Sequence, residues 1–109
     1  MAQKLVQIQF KLLGSGVEYQ QAVVPLVQAV ADSAGLQWKL WLLNDAEHAA
    51  SGIYLFADES SARAYLSGAV LARLIGHPLI GDVSIKQFDL LEELTRISRG
   101  PILEHIRGL

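Results

Sequence analysis

The chain has 109 residues, of which 51% are hydrophobic and 18% are charged, and nine basic and eleven acidic side chains give it a net charge of −2. This length corresponds to one domain with a single core, and the lack of a basic stripe argues against nucleic acid as a partner. The absence of cysteine excludes disulfides, thiolate nucleophiles and protein-ligated iron–sulfur clusters, and it is typical of a cytoplasmic protein.

Hydropathy indicates a soluble oligomer rather than a membrane protein. Residues 1–14 alternate between apolar and polar side chains, so they do not form a signal peptide. No segment approaches the roughly 18 consecutive apolar residues that a membrane span requires. The high hydrophobic content exceeds what so short a monomer is expected to bury, which predicts a homodimer.

The first elements are a strand and a capped helix. Residues 4–12 alternate with a period of two, which predicts the first strand. Ser15 and Glu18 have the spacing of a capping box, and they predict a helix that runs to about residue 33. Pro25 lies inside this helix, so we expect it to kink the helix or to shift its start.

A hairpin, a helix and a last strand follow. Residues 36–43 and 52–57 predict two strands joined by a polar loop, and Asp58 is a good N-cap for a second helix that ends at Gly76-His77-Pro78. Residues 82–89 predict the fourth strand. The order βαββαβ predicts a ferredoxin-like α+β fold, with two helices on one face of a four-stranded antiparallel sheet.

The C-terminal end is predicted to be an extension. Residues 91–99 have helical spacing, and Gly100-Pro101 ends that helix. We therefore predict a domain over residues 1–98 and an extension over residues 99–109, which packs on its own subunit or on its partner.

The two faces of the sheet differ in composition. Alternation assigns an aliphatic set to the helices, namely Val6, Ile8, Phe10, Trp38, Leu40, Leu42, Ile53, Leu55, Val83 and Ile85. The open face then carries Gln7, Gln9, Lys39, Trp41, Leu43, Tyr54, Phe56, Ser84, Lys86 and Phe88. The assignment of residues 36–43 is reversible, in which case Trp38 lies on the open face and Trp41 faces the helices.

This mixed face allows two interpretations. Aromatic rings among a few convergent polar groups are typical of a small-molecule pocket covered by a second subunit. The same rings are also typical of a plain dimer interface. Interleaved Gln and Lys residues favour the pocket, and both interpretations require a homodimer.

Three motifs carry a resemblance to a known family. They are Trp38-Lys39-Leu40-Trp41, Gly52-Ile53-Tyr54-Leu55-Phe56-Ala57-Asp58 and Ser61-Ala62-Arg63-Ala64-Tyr65-Leu66. In this order and spacing the chain resembles the YdhR family of monooxygenase-like proteins, which are dimeric α+β barrels, over residues 4–98. The resemblance implies two facing sheets in a homodimer, a cavity in each subunit and oxygenation of a small phenolic substrate without metal, flavin or other cofactor.

Candidate site residues follow from that chemistry, in which a bound phenol is deprotonated and reduces dioxygen itself. We predict Lys39, His48 and Tyr54 as catalytic residues, with the lysine stabilising a phenolate and the histidine acting as a base. The predicted substrate-binding residues are Gln7, Gln9, Trp38, Trp41, Phe56, Lys86 and Phe88. For the lysines the alternative is that they reach solvent, and for His48 it is that of an ordinary loop residue.

Two other functions remain open from the sequence. One is a non-catalytic dimer that holds a small hydrophobic molecule. The other is haem binding or degradation, for which His48 is the axial ligand to test. His48, His77 and His105 lack paired-ligand spacing, so no metal site is predicted.

Overall fold

A computed structural model describes residues 2–102 of the chain, so the predicted extension beyond Ile102, including His105, lies outside the described residues. Its strands are β1 (Lys4–Leu12), β2 (Leu36–Asn44), β3 (Ala49–Phe56) and β4 (Ile80–Asp89). Its helices are α1 (Gly16–Ala31), α2 (Glu59–Leu66), α3 (Ala69–Ile75) and α4 (Glu92–Ile97). The strands form one antiparallel sheet in the order β2-β3-β1-β4, which confirms the predicted ferredoxin-like α+β fold.

Local signals position α1 and α2 where the sequence predicts them. The Ser15 side chain accepts from the Glu18 amide while the Glu18 carboxylate accepts from the Ser15 amide, so the predicted capping box forms. Pro25 lies within α1 without shifting its start from Gly16. The Asp58 side chain accepts from the Ser61 amide and caps α2.

Two predicted boundaries are wrong. The second helix is two helices, α2 and α3, because Ser67 and Gly68 are consecutive weak helix formers and Gly68 is extended at the start of α3. The hairpin loop is also shorter than predicted. A 3₁₀ turn over Asp45–Glu47, followed by His48 in the left-handed conformation, reverses the chain so that β3 begins at Ala49.

The core lies between the sheet and the helices. Val6, Ile8, Phe10 and Leu12 of β1 are buried, and they belong to one apolar cluster with the buried stripe of α1. That stripe consists of Tyr19, Val23, Leu26 and Val30. Leu71 and Leu74 of α3 complete the cluster, so all three helices before β4 contribute to a single core.

The predicted face of β3 is wrong. Tyr54 pairs with Val6, and both Tyr54 and Phe56 are fully buried with their rings against Tyr65 of α2. They therefore face the helices, and Ile53 and Leu55 face the opposite way. Because both sets of β3 side chains are apolar, hydrophobicity alone did not distinguish the two faces.

The alternative assignment of β2 is the one that the structure adopts. Trp41 pairs with Gly52 and packs against the core cluster, whereas Leu40 and Leu42 are exposed on the opposite face. A register shift between Leu36 and Trp38 changes the parity of the strand there. Trp38, Leu40 and Leu42 keep one parity after this irregularity, and this set was assigned to the wrong face because both alternating sets of β2 contain large apolar side chains.

The face away from the helices retains exposed apolar side chains. Leu40, Leu42 and Phe88 are each more than 40% exposed, and we call these three residues the open-face patch. At the β2 edge, the Trp38 indole nitrogen donates to the Pro101 carbonyl, which ties the chain beyond α4 to the sheet. The predicted domain boundary at residue 98 stays a prediction. Between residues 2 and 102 no helix is long and apolar enough to span a bilayer.

Candidate active site

A cleft of about 150 Å³ lies between the C-terminal half of α1 and strand β2. The helix contributes Val27, Val30 and Ala31, and the strand contributes Leu36, Gln37, Trp38, Lys39 and Trp41. The walls are mainly apolar, although of the three helix residues only Val30 belongs to the buried stripe of α1, and Val27 is 42% exposed. Lys39 is the charged residue that lines this cleft. The surroundings of its amine therefore determine which chemistry the cleft can support.

The Lys39 amine lies between two aromatic rings. Its Nζ is 3.2 Å from the centroid of a Trp41 ring and 4.5 Å from the centroid of the Tyr54 ring. Such cation–π contacts stabilise an ammonium only partly once it leaves water. Among the ion pairs of residues 2–102, none involves Lys39, so no described carboxylate offsets its burial. Burial accordingly lowers the pKa of Lys39 to about 7.

Gly52 makes room for this amine. A Cβ at residue 52 would be 2.8 Å from Lys39 Cε and 2.9 Å from Tyr54 Cε1, closer than side chains normally approach. A glycine inside a strand commonly marks such a close approach. Gly52 is therefore a positioning residue for both Lys39 and Tyr54, although the sequence analysis did not include it in the site.

Two buried tyrosines extend the site toward α2. The Tyr65 hydroxyl donates to the Tyr54 hydroxyl at 3.3 Å, and the two ring centroids are 5.0 Å apart. Burial raises the pKa of both phenols, so both are neutral near pH 7. A phenol carries one hydrogen, and the one on Tyr54 is not used in this bond. Tyr54 is fully buried and lies beside the Lys39 amine, so this hydrogen is a donor next to that amine.

The predicted site residues divide into separate groups. The structure brings together Lys39, Trp41, Tyr54 and Phe56 on the helix side of the sheet. Gln7, Gln9, Lys86 and Phe88 follow the opposite face, where Gln7 pairs with Lys86 and Leu5 pairs with Phe88. Trp38 lies at the β2 edge, between the cleft and the Pro101 carbonyl. Whether any of them binds a ligand stays a prediction.

His48 lies away from this cluster. It is exposed at the hairpin turn, and the backbone carbonyl of His48 accepts from the Leu12 amide. Tyr54 is six residues further along the chain, roughly 20 Å at strand spacing. A catalytic role for His48 together with Lys39 in one subunit is therefore not supported by the geometry. Within residues 2–102, no three histidine, aspartate or glutamate side chains form a metal-binding group.

Tyr65 is a second site residue that the sequence analysis missed. It was named only within the motif of residues 61–66 and not among the candidate site residues. Its hydroxyl became relevant because Tyr54 faces the helices rather than the open face. The sequence signal that could have identified Tyr65 is the presence of two tyrosines in predicted core elements, because a buried tyrosine hydroxyl needs a hydrogen-bond partner.

The sheet order and the cleft beneath the helices define a ferredoxin-like α+β protein with a potential small-molecule site. The chain belongs to the family described as "Putative mono-oxygenase ydhR", whose family model matches residues 5–101. This finding confirms the resemblance that the sequence motifs carried. No curated protein matches the chain.

Solved structures show the same fold at low sequence identity. A protein of unknown function from Nitrosomonas europaea has a TM-score of 0.71 and 18% identity, with 84% of this chain and 91% of that one covered. SnoaB from Streptomyces nogalater, described as a cofactor-independent oxygenase, has a TM-score of 0.69 and 13% identity, with coverage of 84% and 95%. MhuD from Mycobacterium tuberculosis, described as a haem degrader, has a TM-score of 0.62 and 20% identity, with coverage of 80% and 95%.

Replacing Gly52 with alanine should disrupt the cluster. Because the added methyl group would press on Lys39 and Tyr54, we expect Gly52→Ala to lower the free energy of unfolding by about 1–3 kcal/mol in urea titrations. Gly81→Ala is the matched control, since its nearest neighbour would lie at 3.5 Å, an ordinary contact. Equal unfolding midpoints for the wild type and Gly52→Ala would contradict the tight approach.

The burial of Lys39 should also make stability depend on pH. Between its folded pKa of about 7 and its ordinary value of 10.5, the unfolded chain binds more protons, so stability rises with pH through this window. We expect wild-type stability relative to Lys39→Met to increase by roughly 2–3 kcal/mol between about pH 7 and about pH 9.5. Urea titrations at several pH values measure this difference. Parallel curves for the two proteins would show that the amine is not desolvated.

Proposed function

We propose that the chain is a cofactor-independent oxygenase that oxidises a small phenolic substrate, a quinol in particular, in the cleft beside Lys39. The observation that carries this proposal is an unpaired, desolvated amine held between aromatic rings at the wall of an apolar cleft. A strongly perturbed titratable group in a cleft is a common mark of an active site. Membership of the family supports an oxygenase, and the similarity to SnoaB, a cofactor-independent oxygenase, supports the absence of a cofactor.

The first step is a proton transfer to Lys39. A neutral amine with a pKa of about 7 accepts the hydroxyl proton of a bound quinol, and the ammonium that forms is paired with the resulting anion. This pairing supplies the negative partner that the residues around Lys39 lack. The hydroxyl hydrogen of Tyr54, left over from its bond with Tyr65, is a further donor close to this amine.

The oxidation requires no reductant other than the substrate. A quinol anion is electron-rich enough to transfer electrons to dioxygen, and an apolar cleft excludes water from the reactive species. Quinol and dioxygen then give hydroxyquinone and water. One oxygen atom enters the ring and the other leaves as water, so the four electrons that dioxygen accepts all come from the quinol.

The size of the cleft supports a substrate of about one ring. A cavity near 150 Å³ holds a molecule such as benzene, and the cleft between α1 and β2 has a volume of about 150 Å³. Trp41 and the valine side chains provide apolar contacts for such a ring, while the amine selects for an ionisable hydroxyl. Larger phenols would have to extend past the β2 edge into solvent.

The other functions have weaker support. Haem degradation is the described activity of MhuD, but His48, the predicted axial ligand, is exposed at a turn roughly 20 Å along the strand from Tyr54. A non-catalytic binding protein would use the same cleft, and it differs from an oxygenase only by the absence of turnover. Ligand binding without oxygen consumption would support that second function.

We also propose a cytoplasmic homodimer that associates through the open-face patch. Leu40, Leu42 and Phe88 expose large apolar groups on the sheet face that the helices leave free. Clustered exposed apolar side chains of this size commonly mark protein interfaces. The family resemblance to dimeric barrels gives the same expectation.

Lys39→Met should abolish turnover while retaining the apolar volume of the side chain. Loss of the base and of its cationic form should lower kcat for hydroquinone by about 100-fold or more. Oxygen uptake measures the rate, and isotope-labelled dioxygen shows whether one oxygen atom enters the product. Lys11→Met is the control because Lys11 is exposed on β1, outside the cleft. Undiminished uptake in Lys39→Met would overturn the assignment of Lys39.

Leu40→Asp should convert the dimer to a monomer. A carboxylate placed in an apolar interface is desolvated without a partner, so association should weaken by at least about 100-fold. Light scattering after size exclusion measures the mass in solution. The control is Val17→Asp, an exposed valine at the start of α1. A wild-type monomer, or an unchanged mass for Leu40→Asp, would contradict this interface.

A further inference from the structure

We propose that Lys39 is also a nucleophile that captures small aromatic aldehydes as imines. The chemical class of ligand is a carbonyl group attached to an apolar ring of the size that the cleft admits. This reactivity uses the same amine as the proposed oxidation, but it needs neither dioxygen nor an ionisable hydroxyl on the ligand.

The surroundings of Lys39 set it apart from the other lysines. All four lysines of the chain lie within residues 2–102. Lys4 is paired with Asp89 and Glu59, and Lys11 and Lys86 are exposed on strands. Lys39 alone packs between aromatic rings at a cleft, and no described carboxylate holds its charge. A lysine desolvated in an apolar pocket is the usual form of an amine nucleophile.

The protonation state supports the same reactivity. Because burial lowers the pKa of Lys39 to about 7, most of the amine is neutral slightly above that pH. An ordinary lysine with a pKa near 10.4 is neutral in roughly one molecule in a thousand at pH 7.5. Lower basicity also reduces intrinsic nucleophilicity, so the net advantage is smaller than this ratio.

The reaction is balanced without an oxidant. The nitrogen lone pair attacks the carbonyl carbon, and the carbonyl π electrons move to oxygen, which takes the proton that nitrogen loses. The second proton of the nitrogen then leaves with the hydroxyl group as water, and the electrons of that N–H bond are retained so that a neutral carbon–nitrogen double bond forms. An apolar cleft favours this step because it excludes the water that would reverse it.

The cleft also explains why an aromatic carbonyl is the expected partner. Trp41 and the valines of α1 offer apolar contacts in the same cleft as the amine. A single ring fits the volume of about 150 Å³, and it places a carbonyl substituent toward Nζ. Aliphatic aldehydes of similar reactivity would lack this binding contribution.

Benzaldehyde with cyanoborohydride tests the proposal in the full-length protein. The hydride reduces the imine to a stable secondary amine, and peptide mapping by mass spectrometry locates the label. At about pH 7.5 we expect Lys39 to be labelled at least about tenfold faster than Lys11 within the same molecule. This internal comparison does not depend on a variant that folds. Benzaldehyde has no hydroxyl for Lys39 to deprotonate, so the result is independent of the proposed oxidation.

Variants and a competitor complete the experiment. Lys39→Met should lose the fast label, and Lys11→Met should retain it with an unchanged rate. Butanal should label Lys39 with a preference over Lys11 that is several-fold smaller than for benzaldehyde. Equal labelling of Lys39 and Lys11, or labelling of Lys11 alone, would overturn the proposal. Fast labelling of Lys39 combined with no oxygen uptake would support imine formation while rejecting the oxygenase.

Discussion

The uncompensated burial of the Lys39 amine is the constraint around which this structure is arranged. An ammonium group that leaves water without a carboxylate is costly, and two aromatic rings at 3.2 Å and 4.5 Å offset only part of that cost. The fold could avoid the penalty by turning β2 over or by placing an acid nearby. It does neither, and Gly52 on the neighbouring strand leaves space for the side chain to remain inside. A position that costs stability and is accommodated by its neighbours fits a functional site better than a purely structural one.

The aromatic cluster behind Lys39 determines how rigid that position is. Tyr54 and Phe56 are fully buried, and both rings contact Tyr65, which is anchored in the capped helix α2. The Asp58 cap therefore contributes indirectly to the site, because it fixes the helix that presents Tyr65. Rings packed on two sides have few alternative rotamers, so the amine faces the cleft in a defined orientation. Preorganisation of this kind matters most for an enzyme that has no cofactor to orient.

The sequence predicted the elements more accurately than their faces. Residues 4–12 form β1 as expected because their alternation is strict, and the capping residues Ser15 and Asp58 start α1 and α2 as predicted. The faces of β2 and β3 were harder to predict, since in each strand both alternating sets contain large apolar side chains, such as Trp38 and Trp41 in β2. The cleft could not be predicted because it depends on which β2 residues meet α1, a tertiary packing that strand alternation does not encode. Lys39 and Tyr54 were nevertheless named as candidate residues from the chemistry that the family resemblance implies, although they were placed on the opposite face of the sheet.

The predicted faces of β2 and β3 are reversed in the structure. As a result, the proposed ligand site and the proposed dimer interface no longer lie on the same face of the sheet. The sequence analysis placed Tyr54 and Lys39 on the open face, where a pocket would form only if a second subunit covered that face. With both residues beneath the helices, the cleft is formed by α1 and β2 of a single chain. The open-face patch then lies outside the proposed site, and its apolar side chains fit the proposed association. The proposed ligand cleft and the proposed dimer interface thus lie on opposite sides of one sheet, and they can influence each other only through the strands that the two sides share.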